Sequence, residues 1–141
     1  MEEKIMLGFL FKQIHIAFEA RCNKNLQNYN LTQSQMDVLL YLKKHEDSIV
    51  TQRDLEAGLR LKNPTVTGIL NRLEEKNLII REQNLNDKRS KIIKMTQKSR
   101  AVLKDAYLYI QQLEAQMLTG ISEDERKQLS KFLCKILNNF K

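Results

Sequence analysis

Residues 63–96 read NPTVTGILNRLEEKNLIIREQNLNDKRSKIIKMT, and two different periods run through them. In the first half Val66, Ile69, Leu70 and Leu73 recur at three- and four-residue steps, the spacing of one helical face. Asn63 and Pro64 mark the start of that helix. Asn caps orphan N–H groups, and Pro at the first helical position gives up no hydrogen bond. The helix is expected to end near Lys76. In the second half Leu78–Gln83 and Lys91–Met95 are short, isoleucine-rich runs on either side of the polar loop Asn84–Ser90, the pattern of a β-hairpin.

The flanking sequence extends the pattern in both directions. Upstream, Thr51 with Asp54 three residues on caps a short helix carrying Leu55 and Leu59, and Arg60-Leu61-Lys62 connects it to the helix at Asn63. Thr32-Gln33-Ser34-Gln35 is a capping box opening a helix through Met36, Leu39, Leu40 and Lys43 to about Lys44. His45–Val50 reads as a polar turn. Residues 3–28 place Leu7, Leu10, Phe11, Ile14 and Phe18 on one helical face, and Asn28-Tyr29-Asn30 interrupts it. Downstream, Thr96 caps a long helix to Leu118 that aligns Val102, Ala106, Ile110, Leu113 and Met117, and Gly120 ends it. Ser122 and Glu125 form another capping box. The last helix then carries Leu129, Phe132, Leu133, Ile136, Leu137 and Phe140 as one apolar stripe. The expected fold is mainly α (α+β): six helices and one hairpin. A short helix, a tight turn, a capped helix and a hairpin form a helix-turn-helix with a wing over residues 31–96. Helical segments at 1–30 and 97–141 flank it.

Composition narrows the class. The chain has 141 residues, 42% apolar and 29% charged, with 4 Gly, 1 Pro and 2 Cys. A chain of this length folds as one compact domain or two small lobes without disulfides or metal. Uncharged runs such as Ile5–Phe11 are far shorter than the roughly 20 residues that span a bilayer. The acidic start Glu2-Glu3 does not resemble a signal peptide, so a cytoplasmic protein with no membrane partner is expected. Two cysteines, Cys22 and Cys134, make no disulfide framework.

The charge is unevenly placed. Residues 62–100 hold 10 basic and 4 acidic side chains, while residues 1–61 hold 8 of each. The excess coincides with the capped helix and the hairpin, and a polyanion is the natural partner of such a segment. With Val66, Ile69, Leu70 and Leu73 turned inward, the helix presents Pro64, Gly68, Asn71 and Glu75 outward, flanked by Thr65, Thr67 and Arg72. Thr, Asn and Arg hydrogen-bond to base edges and phosphates. Gly68 in a helix interior costs about 1 kcal/mol relative to Ala, which suggests close approach by another surface. Asp87-Lys88-Arg89-Ser90-Lys91 puts cations at the tip of a thin element that fits a minor groove. Asp87, which repels phosphate, is expected to orient the Arg89 guanidinium through a bidentate pair. The expected DNA-binding set is therefore Asn63, Pro64, Thr65, Thr67, Gly68, Asn71, Arg72, Asp87, Lys88, Arg89 and Lys91, with Lys94 as a further phosphate contact.

The terminal helices carry more large apolar residues than a small lobe needs. Leu7, Leu10, Leu129, Phe132, Leu133, Ile136, Leu137 and Phe140 are expected to form a homodimer interface, which resembles a core cut in half. No catalytic constellation is visible, so no enzyme activity is expected. His15 and His45 lie far apart and neither Cys has a nearby ligand, so no metal or cofactor is expected.

Several segments together resemble the MarR family of winged-helix transcriptional regulators, over about residues 30–100. They are Leu31-Thr32-Gln33-Ser34-Gln35, Pro64-Thr65-Val66-Thr67, Asn71-Arg72-Leu73-Glu74-Glu75-Lys76-Asn77-Leu78-Ile79, Arg81, Asp87-Lys88-Arg89 and Ile93-Lys94-Met95-Thr96. Two positions depart from the family pattern: Asn77, where Gly is usual, and Met95, where Leu is usual. Asn77 is expected to take a left-handed C-cap, which Asn tolerates. The resemblance implies a homodimer formed through the first and last two helices. It implies a helix in the major groove of a near-palindromic operator and a wing arginine in the minor groove of double-stranded DNA. It also implies a repressor released by a small-molecule effector, for which Phe11, His15, Phe18, Met36 and Leu40 are the candidate cavity residues. Two alternatives stay open: a winged helix that docks on protein without reading DNA, and a redox-sensing regulator using Cys22 or Cys134. The family's peroxide-sensing branch carries its cysteine near the start of the first helix, and Leu7–Phe11 has none.

Overall fold

The computed structural model describes residues 4–141. In chain order the elements are α1 (Leu7–Gln27), α2 (Gln33–Lys44), α3 (Gln52–Leu59), α4 (Asn63–Glu75), β1 (Ile79–Gln83), β2 (Lys91–Met95), α5 (Gln97–Met117) and α6 (Glu123–Asn138). The expected first helix and the expected 1–30 segment reach into residues 1–3, which lie outside the described residues. Helix α1 starts at Leu7, and Met6 stands at its cap position in an extended conformation with a side chain that caps nothing.

Local chemistry explains the other starts. Thr32, Thr51 and Ser122 each accept from the backbone N–H three residues on, and Gln35, Asp54 and Glu125 reach back to the cap's own N–H. At α5 the same exchange runs between Thr96 and Ser99, with N···O distances of 3.0 and 3.2 Å. Helix α4 is the exception to the expected scheme. Asn63 is its first helical residue and makes no capping bond, and Lys62 stands at the cap position with Pro64 in the first turn. Pro64 still gives up no hydrogen bond there, because the N–H groups of the first turn have no intrahelical acceptor.

Helix ends are equally local. Asn77 takes φ 60° as expected for a left-handed C-cap. Leu78 N–H donates to Leu73 O and Asn77 N–H to Glu74 O, the two bonds of a Schellman motif. Arg60 caps α3 at φ 54°, and Asn30 takes the same φ in the turn that follows α1, where Leu31 N–H donates to Leu26 O.

The chain forms two compact units, one running up to Leu108 and one of Tyr109–Lys141. In the first, Val66, Leu70 and Leu73 of α4 are fully buried with Val38 and Leu39 of α2, Leu55 of α3 and Ile79 of β1. Leu40 is 51% exposed, because the buried face of α2 runs through Met36, Val38, Leu39 and Leu42. Gly58 lets α3 close onto α2, since a Cβ there would collide with the Tyr41 ring. Strands β1 and β2 pair antiparallel with Ile79 opposite Met95 and Arg81 opposite Ile93. A third strand position joins them: Thr51 bridges Ile92, and Ile93 N–H donates to Val50 O at 2.8 Å. The segment expected as a plain polar turn thus ends as the root of the wing. In the second unit, Gly120 turns the chain at φ 84°. Arg126 donates to the carbonyls of Ile121 and Leu118, satisfying the turn between α5 and α6.

Candidate nucleic-acid interface

Helix α4 presents the outward face that its sequence predicts. Asn63, Pro64, Thr65, Gly68, Asn71 and Arg72 are exposed, and Thr67 is half-buried. A Cβ added at Gly68 would meet nothing within 4 Å, so the missing side chain leaves room for something outside the chain. The first turn of α4 has no side-chain cap, which leaves its N–H groups and the positive end of the helix dipole open to an anion. A groove of about 790 Å³ runs between α3, the start of α4 and the wing, and Gln52, Arg53, Asn63, Thr67, Arg89 and Lys91 line it. A smaller hollow of about 250 Å³ on the other side of α4 is lined by Thr65, Gly68 and Arg72 together with Gln35 of α2.

The wing loop is tied by short side chains. Asn86 N–H donates to Asn84 Oδ1 at 3.1 Å, Asn84 Nδ2 to Ser90 Oγ at 3.2 Å, and Arg89 N–H to Asp87 Oδ1 at 3.0 Å. The last bond corrects the role expected of Asp87. Its carboxylate holds the backbone of Arg89 in an Asx turn and makes no ion pair with the guanidinium. A short acidic side chain meets the amide two residues on before it can reach a long, exposed one. Lys88, Arg89 and Lys91 are exposed and enter no ion pair among the described residues. Lys94, expected to be free for phosphate, pairs with Glu82 across the hairpin at 2.8 Å.

Two contacts within this surface involve residues outside the expected set, Gln52 and Arg81, both of which line the groove. Gln52 Nε2 donates to Thr67 Oγ1 at 2.8 Å. Arg81 of β1 donates through Nε and Nη2 to both carboxylate oxygens of Glu74, and through Nη2 to Asn71 Oδ1. The Arg81 side chain is only 19% exposed. Its hydrogen bond holds the Glu74 carboxyl below the usual carboxylate range, and Glu74 raises Arg81 in return. The alternation of β1 carried the signal. Arg81 falls on the same side as buried Ile79, and an arginine facing inward needs a carboxylate partner.

The expected effector residues are not all placed alike. Met36 is buried in the core of the first unit. Phe11 and His15 are exposed, Phe18 is half-buried, and His15 pairs with Glu19 at 3.2 Å. Burial, then the charge of Glu19, pushes the Cys22 thiol up, away from the thiolate that a redox sensor uses. Cys134 is exposed. Among the described residues no group of three or more His, Cys, Asp or Glu could hold a metal ion, and no helix is long and apolar enough to cross a membrane.

Comparison with known proteins gives this surface a context. Residues 29–90 match the model of the MarR family. The chain is similar to MepR, a transcription regulator of the Staphylococcus aureus multidrug efflux pump MepA. The identity is 26% and the TM-score 0.89, covering 97% of this chain and 100% of that one. It is similar to S. aureus MepR in a MepR–DNA complex, at 27% identity and a TM-score of 0.72, covering 98% and 100% of the two chains. A cysteine mutant of MarR from E. coli is 26% identical with a TM-score of 0.76, covering 96% of this chain and 99% of that chain.

Proposed function

This chain belongs to the MarR family of transcription regulators, and we propose that it acts as a homodimer that binds double-stranded DNA at a near-palindromic operator and represses transcription in the cytoplasm. The observation that carries the reading is the pairing of an open, polar α4 face around Gly68 with a wing whose Lys88, Arg89 and Lys91 are committed to no carboxylate. Helix α4 enters the major groove, where Thr65, Thr67 and Asn71 meet base edges. Asn63, Pro64 and Arg72 sit where α4 meets the phosphates, and Arg89 reaches the minor groove with Lys88 and Lys91 beside it. The 1–30 and 97–141 segments supply the dimer contact through Leu7, Leu10, Leu129, Phe132, Leu133, Ile136, Leu137 and Phe140. All of these are exposed except half-buried Ile136.

A small-molecule effector completes the proposal. Phe11, His15 and Phe18 lie along one side of α1 and offer aromatic wall and one polar group. Leu40 is the accessible candidate on α2, while Met36 contributes only if the core around it opens. An effector releases DNA only by binding one arrangement of the dimer better than the other.

A salt titration of binding to random-sequence duplex tests the reading. Affinity should fall steeply with salt through counterion release. A winged helix that docks on protein alone would bind duplex weakly at every salt concentration, and that result would end the DNA reading.

A further inference from the structure

Arg81 stands on a strand of the wing, yet its guanidinium is anchored on the outward helix. Nε donates to Glu74 Oε2 at 2.9 Å, and Nη2 to Glu74 Oε1 at 3.1 Å and to Asn71 Oδ1 at 2.8 Å. A guanidinium has donors and no acceptor, so the Asn71 amide has one orientation in this contact: oxygen toward Arg81, NH₂ away from it. The bidentate carboxylate fixes the guanidinium in turn.

An asparagine free to turn reads adenine with both atoms, accepting from N6 and donating to N7. At Asn71 the oxygen lies against a cation. The oxygen keeps a second lone pair, but the N6 amino group of adenine is another donor, and bringing it there sets its positive end beside the guanidinium charge, which weakens that contact. Guanine offers two acceptors, O6 and N7, and thymine offers O4. Each suits an NH₂ group beside a positive charge. The neighbouring contact has the same polarity. Gln52 Nε2 donates to Thr67 Oγ1 at 2.8 Å, which uses an acceptor position of the hydroxyl and leaves its hydrogen to be donated.

The geometry points to Arg81 as a positioning residue that sets specificity: by holding the Asn71 oxygen it makes Asn71 a donor and steers α4 toward guanine or thymine and away from adenine. This rests on the DNA-binding function proposed above. Arg81 itself needs no contact with DNA.

Selection from a pool of random-sequence duplex tests it, with wild type, Asn71→Ala, Arg81→Ala and Glu74→Gln. Wild type should select guanine or thymine at a position whose preference Asn71→Ala erases. Arg81→Ala should move that same position toward adenine by roughly fivefold or more, the lower end of a good base contact, with the other positions unchanged. Glu74→Gln, which loosens the guanidinium while keeping the shape of the side chain, should shift it in the same direction by less. If Arg81→Ala does not fold, as judged by its circular dichroism melt, Glu74→Gln decides alone. A purely structural Arg81 would weaken binding evenly at all positions, and that result overturns the inference. So does adenine at the Asn71 position in wild type, an unchanged preference in the variants, or an Asn71→Ala profile equal to wild type. In each of these cases DNA selection by wild type leaves the proposed function standing. A wild type that does not bind duplex ends both.

Discussion

Helices α4 and α6 carry the same kind of apolar stripe and meet opposite fates. In α4, Val66, Ile69, Leu70 and Leu73 are all buried. In α6 no residue is buried, with Phe132 at 62% and Leu137 at 58% exposed, and Phe140, expected on the same stripe, lies past the helix end at 85% exposed. Both helices are amphipathic, so the stripe alone does not say what covers it. In α4 the cover comes from α2, α3 and β1 of the same unit. In α6 the stripe is left uncovered within its unit, and a second copy of the chain with the same stripe is the occupant proposed above. The outer faces are reversed as well. In the function proposed above, α4 offers its polar face to a partner and α6 its apolar one.

The sharpest way to break the contrast is to charge the exposed stripe. Leu133→Lys with Ile136→Lys should leave a monomer or an unfolded chain at micromolar concentration, and operator binding should be lost. Sedimentation together with far-ultraviolet circular dichroism reads both outcomes. A well-folded wild-type monomer at that concentration would remove the dimer from the proposal.

How far these faces could be read from sequence depended on the range of the interactions. The boxes at Thr32–Gln35 and Ser122–Glu125, the Thr51–Asp54 cap and the left-handed Asn77 were legible because each involves residues within a few positions of one another. The bridge between Thr51 and Ile92 was not, since it joins segments far apart in the chain. The clamp of Arg81 was half legible. Alternation in β1 turns Arg81 inward and calls for a carboxylate, but that its partners are Glu74 and Asn71 depends on the angle between strand and helix, which no periodicity encodes. Asp87 is a different case, because the Asx-turn rule was available in the sequence, but the charge of Arg89 two positions away suggested an ion pair instead. The candidate surface was thus legible as a list of exposed groups, whereas the contacts that orient Thr67, Asn71 and Arg89 were not.

The wing gives a second, smaller test on the α4 side of the comparison. Arg89→Ala should weaken DNA binding by about ten- to 100-fold, the loss expected for a hydrogen bond to a charged group. The salt slope should fall by about one. The melting temperature should hardly change, because Arg89 is exposed and makes no ion pair. Asp87 separates charge from geometry. Asp87→Asn keeps an oxygen for the Arg89 N–H and removes a negative charge, so binding should be retained or tightened. Asp87→Ala removes the oxygen that holds the turn and should weaken binding. Equal tightening in both variants, measured by fluorescence anisotropy on the selected operator, would show that only the charge matters and that the loop needs no tie.

The smallest expected effect sets stability against binding at a single atom. Gly68 lies inside α4, where Gly costs about 1 kcal/mol relative to Ala. A Cβ there meets nothing in the chain, so Gly68→Ala should stabilise the free protein. The melting temperature should rise by about 3 °C for a chain of this size. The added methyl projects from the face that the proposal places in the groove. Inserting a methyl into a close-packed contact costs on the order of 1–3 kcal/mol, so operator affinity should fall while the fold improves. On α6 the reverse coupling is expected, because loss of the exposed stripe should lower stability and binding together. Calorimetry and anisotropy on the same preparation separate the two. If Gly68→Ala gains both stability and affinity, the backbone of α4 is not closely approached, and Gly68 has no binding role.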